Sequence, residues 1–65
     1  MNKNQIDGRW LQLKGKIKEE WNDLTDDEIE EAEGEAMQLV GKIQAKYGIE
    51  KEAAEAKIRE LQATV

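Results

Sequence analysis

A run of fourteen residues occurs twice in this chain, and the repetition constrains the fold more than any other feature. The stretch G-R-W-L-Q-L-K-G-K-I-K-E-E-W, Gly8 to Trp21, returns 26 positions later as G-E-A-M-Q-L-V-G-K-I-Q-A-K-Y, Gly34 to Tyr47. Gly8 and Gly34, Gln12 and Gln38, Leu13 and Leu39, Gly15 and Gly41, Lys16 and Lys42, and Ile17 and Ile43 are identical pairs, and Trp21 and Tyr47 close both copies with a ring. A unit this short cannot bury an apolar face by itself, so the copies must stack. Two similar halves packed together are the expectation.

The spacing of apolar residues says that both halves are helical. Ile6, Trp10, Leu13, Ile17 and Trp21 follow an i, i+4, i+7, i+11, i+15 series, which gathers all five into one stripe of a helix over 4–22. That spacing makes Trp10 and Trp21 core residues rather than exposed stacking rings. Asn4 is placed to cap this helix, and Asp7 suits its first turn. Thr25-Asp26-Asp27-Glu28 is a capping box, and Leu24 and Ile29 are spaced as the hydrophobic staple around it. A short helix over 26–33 should follow, with Ile29 and Ala32 inward. Its terminal Glu30, Glu31 and Glu33 oppose the negative end of the helix dipole, so a break is expected near Gly34. Ala36, Leu39, Val40, Ile43 and Tyr47 form the stripe of a third helix over 35–47, closed by Gly48, with the Tyr47 hydroxyl reaching the rim. Ala54, Ile58, Leu61 and Val65 face inward from a fourth over 50–63. The fold class is therefore all-α, a four-helix bundle with approximate internal duplication, in one domain spanning 1–65.

Composition narrows the function. No proline interrupts the helices. No cysteine or histidine is present, so catalytic triads, thiolate zinc sites and haem ligation lack their residues. Fifteen acids against ten bases give a net charge of −5, which on average repels nucleic acid and anionic membranes. The charge is segregated. Lys3 to Lys18 carries five bases and only Asp7 against them, whereas Asp23 to Glu35 carries eight acids and no base. No apolar run approaches the roughly 20 residues of a bilayer span, and the start of the chain lacks the apolar core of a signal peptide, so a cytoplasmic protein without membrane attachment is expected.

Glycines inside helices need a reason, because each costs about 1 kcal/mol relative to alanine. On a helical wheel Gly8, Leu11 and Gly15 lie opposite the Trp10 stripe, and Gly34, Met37 and Gly41 do the same in the second copy. Close approach of another backbone within the fold is the favoured explanation. Contact with a partner protein is the alternative, and it makes Leu11, Gly15, Met37 and Gly41 the candidate contact residues.

Those runs carry a family resemblance. N-K-N-Q-I-D-G-R-W-L-Q-L-K-G-K-I-K-E-E-W, the following L-T-D-D-E, then E-G-E-A-M-Q-L-V-G-K-I-Q and Y-G-I-E-K-E-A-A-E resemble the CsbD-like family of small bacterial stress proteins along nearly the whole chain. The resemblance implies a cytoplasmic bacterial protein associated with general stress response. It also implies a bundle like that of SAM-type domains, two helical hairpins packed crosswise. It brings no activity, cofactor or binding residues with it. Glu50 departs from the pattern, since relatives often have a serine-type cap there, and the start of the last helix is expected to be looser.

Other features have ordinary readings. The acidic block lacks the D-x-D-x-D-G spacing that wraps calcium, and a helix splays neighbouring carboxylates, so a solvated surface is preferred to a metal site. A bundle this small offers no cleft for paired carboxylates to act on a sugar. Lys14, Lys16 and Lys18 are the candidate nucleic-acid contacts, but stems bordering the core with solvated ends account for them better. The expected function is a non-enzymatic interaction module with an unidentified protein partner, no cofactor and no small-molecule substrate. The alternatives are an abundant charged protectant without a specific partner, suggested by 38% charged residues, and a weak nucleic-acid binder.

Overall fold

The computed structural model describes the backbone from residue 3 to residue 65 and the side chains from residue 8 onward. Its order is α1 (Lys3–Glu20), α2 (Asp26–Glu30), a 3-10 helix (Ala36–Leu39), α3 (Val40–Tyr47) and α4 (Lys51–Ala63), with no strand among the described residues. The expected all-α class and its four α-helices are present.

α1 begins one residue ahead of the expected cap at Asn4; the side chains of Asn4, Ile6 and Asp7 lie outside the described residues. Along the rest of the stripe Leu13, Ile17 and Trp21 are buried, and Trp10 is half-buried against them. The chain turns through Asn22 and Asp23, with the Leu24 N–H donating to the Trp21 carbonyl at 3.1 Å. Thr25 then forms the expected reciprocal box. Its Oγ1 accepts the Glu28 N–H at 3.1 Å, and its own N–H donates to Glu28 Oε1 at 2.9 Å. Leu24 and Ile29, at the staple positions, are both fully buried.

The middle of the chain departs from the expected helices. α2 ends at Glu30 rather than near 33, and the chain tightens into i to i−3 bonds at Ala32 and Glu33 before two left-handed residues, Glu33 (φ 53) and Gly34 (φ 85). Three glutamates at a negative helix end are the electrostatic reason. The expected helix over 35–47 opens as the 3-10 turn instead. Ala36 and Leu39 must both enter the core, and a 3-10 helix eclipses residues i and i+3 where an α-helix would offset them. The second copy of the repeat thus starts with a reversal where the first runs as uninterrupted helix. The burial of the paired positions is nevertheless retained: Leu13 and Leu39, and Ile17 and Ile43, are all core residues.

Gly48 (φ 66) closes α3 by donating its N–H to the Gln44 carbonyl at 2.8 Å. Glu50 precedes α4 with an extended backbone and no side-chain cap, as its departure from a serine-type residue implied. α4 contributes Ala54 and Ile58 to the core and packs against both α1 and α3, while the 3-10 turn lies on α3 and α4. One continuous apolar cluster, built from residues of every element, results.

Candidate functional site

Among the described residues, the large apolar side chain left exposed lies on the outer face of α1. Leu11 is 67% exposed, with Gly8 three residues before it and Gly15 four after, so the three share one face of the helix. A Cβ placed on Gly8, Gly15 or Gly41 would meet nothing within 4 Å outside its own helix. Close approach of another part of the fold, the favoured explanation for these glycines, is therefore not their reason. Gly41 is likewise open on α3, but Met37 is half-buried and packs against the core. Of the four candidate contact residues, Leu11 and Gly15 form one bare surface, Gly41 lies on a different helix, and Met37 is largely turned inward.

The basic candidates are differently placed. Lys14 Nζ lies 2.7 Å from Glu30 Oε1, and Lys18 Nζ 2.8 Å from Asp26 Oδ1, so these two lysines of α1 reach across to α2. Lys16, half-buried, enters none of the ion pairs found among the described residues. From the other side, Lys42 Nζ approaches Glu31 Oε1 at 2.9 Å and Lys46 Nζ approaches Glu28 Oε1 at 3.1 Å. Lys46 also donates to the Asp23 carbonyl at 3.1 Å, and the Tyr47 hydroxyl accepts the Asp23 N–H at 2.8 Å. The acidic block is thus more than the solvated surface expected of it: it is wired to lysines on two neighbouring helices. The signal was available in the sequence as the complementary charge of Lys3 to Lys18 and Asp23 to Glu35.

These pairs shift the protonation of their members. The Lys18 ammonium holds the Asp26 carboxyl below its ordinary value, and Lys14 does the same to Glu30. Glu28 is lowered first by the Thr25 N–H and then by Lys46. Lys14 and Lys42 are raised by their hydrogen bonds to Glu30 and Glu31. All five groups are fixed more firmly in their charged forms, the opposite of what a proton donor or acceptor working near neutrality needs.

A shallow, open depression of about 220 Å³ is lined by Glu31, Ala32, Gln38, Leu39 and Lys42, with the Lys42 to Glu31 pair on its wall. Among the described residues no three carboxylates stand together as a metal cage, and no helix is long and apolar enough to cross a membrane.

A model of the family described as CsbD-like matches residues 4–56. The chain is 55% identical over 60 residues to the UPF0337 protein PA4738 of Pseudomonas aeruginosa, covering 92% of each. It is 56% identical over 59 residues to the UPF0337 protein ECA0631 of Pectobacterium atrosepticum, covering 91% of this chain and 86% of that one. It is 52% identical over 58 residues to the UPF0337 protein YjbJ of Escherichia coli, covering 89% and 84%. No solved structure matches the chain.

Proposed function

The chain belongs to the CsbD-like family, and from that premise we propose that it is a non-catalytic, stress-associated protein of the bacterial cytoplasm that acts by binding another protein through the outer face of α1. The observation that carries the reading is the exposure of Leu11 between two glycines that nothing in the fold requires. Small residues beside a large apolar one let a second helix come close and give it something to grip. Gly41 offers a second open patch on α3, with Met37 at its margin.

The nucleic-acid reading is weaker. A polyanion would have to displace Glu30 and Asp26 from Lys14 and Lys18, against a net charge of −5, leaving Lys16 as the member of the three outside the ion pairs found among the described residues.

The test is crosslinking with mass spectrometry in stressed and unstressed cells, comparing the parent chain with Leu11→Glu and Gly15→Glu. Both sites face solvent, so the variants should keep their helical spectrum. A reproducible crosslinked protein that disappears with either variant supports the reading. Crosslinks that are absent, or indifferent to both substitutions, point instead to a protectant acting by abundance.

A further inference from the structure

The short acidic helix is fastened in an unusual way. Lys14 and Lys18, one turn apart on α1, hold Glu30 and Asp26; Lys42 and Lys46, one turn apart on α3, hold Glu31 and Glu28. Two ammonium pairs on two helices thus grip one segment from both sides. The backbones that pack closely are α3 with α4, α1 with α4, and the 3-10 turn with both α3 and α4; α2 stands apart from these pairings. Five residues are too few for a helix to persist without outside support. Its apolar hold within the core is small, chiefly Ile29 with Ala32 just beyond it.

The two ends of the segment also differ. Asp23, ahead of it, is pinned to α3 by the Tyr47 hydroxyl and the Lys46 ammonium. Behind it the chain reverses through the consecutive left-handed residues Glu33 and Gly34, bridged by the Glu35 N–H donating to the Ala32 carbonyl at 2.9 Å. The segment is therefore tied to α3 by side chains at its start and leaves through a backbone turn at its finish.

We propose that the segment from Thr25 to Gly34 is an electrostatically fastened strap, which opens locally as ionic strength rises and uncovers Ile29, Ala32 and the four lysines. Every member of the four pairs retains contact with solvent, so mobile ions can screen the attraction. The helices packed directly on one another are held by apolar contact, which screening does not weaken. Salt therefore acts on one part of the molecule before the rest.

Hydrogen exchange resolves this on the intact chain. The Ile29, Glu31 and Ala32 amides donate within the strap, and Ile43 and Ile58 report on α3 and α4. Raising sodium chloride from about 0.05 M to about 1 M shortens the Debye length several-fold. The strap amides should lose roughly ten-fold in protection relative to Ile43 and Ile58. The double variant Glu30→Gln with Glu31→Gln removes one pair from each side at exposed positions. It should start with lower strap protection and show about half the salt response. Strap amides that ignore salt, that change in step with Ile58, or that behave alike in the parent and the double variant would each overturn the proposal.

Discussion

Replacing Gly15 by alanine should make this protein more stable, by an amount the structure allows one to work out. Gly15 lies inside α1, more than a turn from its end, and the added methyl group would meet nothing within 4 Å. The substitution therefore brings the difference in helix propensity, about 0.8 to 1 kcal/mol, without an offsetting clash or buried polar group. The unfolding entropy of a chain of 65 residues is roughly 0.14 kcal/mol per kelvin, so the melting temperature should rise by about 6 °C. Gly8→Ala should add a similar step, since the two sites are about 10 Å apart along the helix and a methyl group at either meets nothing within 4 Å. Thermal melts followed by far-UV circular dichroism read the effect directly. Gly34→Ala is the counterpart: at φ 85 the methyl group forces strain, and the melting temperature should fall. Failure of Gly15→Ala to raise the midpoint, or a rise of equal size for Gly34→Ala, would refute the reasoning. If the outer face of α1 meets a partner, Gly15→Ala should also weaken crosslinking while it stabilises the fold, the trade expected where a residue is kept for contact rather than for stability.

Two further outcomes follow from the fastening of α2. Thr25→Ala removes the acceptor of the Glu28 N–H and should cost about 1 kcal/mol, measured in urea as a lower midpoint with an unchanged slope. The pH dependence has a definite sign at each end. Asp26, Glu28 and Glu30 titrate lower in the folded protein than in the unfolded chain, so their stabilisation is present above the ordinary carboxylate range, near pH 4, and is lost as pH falls through the folded values. Lys14 and Lys42 titrate higher when folded, so their contribution is complete below the ordinary lysine value of about 10.4 and is lost as pH rises through the folded ones. Melting temperatures across pH should show a plateau bounded by these two declines, and Glu30→Gln should soften the acid edge.

How much of this was legible in the sequence depends on the range over which each feature acts. The Thr25 box, the Gly48 closure and the stripe through Leu13, Ile17 and Trp21 are set by residues within a turn or two of one another, and each stands where the spacing puts it. The 3-10 opening of the second copy was not legible, because it answers to the joint burial of Ala36 and Leu39 after a reversal at Glu33 and Gly34. Periodicity alone treats that stretch as more of the same helix. The bare face around Leu11 was visible on the helical wheel, but whether the fold would cover it depended on where the other helices came to lie. The lysine pairs fall between these cases. Their charge segregation is plain in the chain, yet pairing Lys14 with Glu30 and Lys42 with Glu31 required both neighbouring helices to be in place.

The inequality of the two copies has a consequence for how this chain can drift over generations. Gly8 and Gly34 align residue for residue, yet the first sits in a right-handed helix open to almost any side chain, and the second in a backbone region that suits glycine. The fold itself tolerates substitution at the first, where contact with a partner would be the reason to keep a glycine, and penalises it at the second. Whatever event first doubled the sequence, its descendants no longer hold two interchangeable parts, and neither half can serve as a spare for its twin.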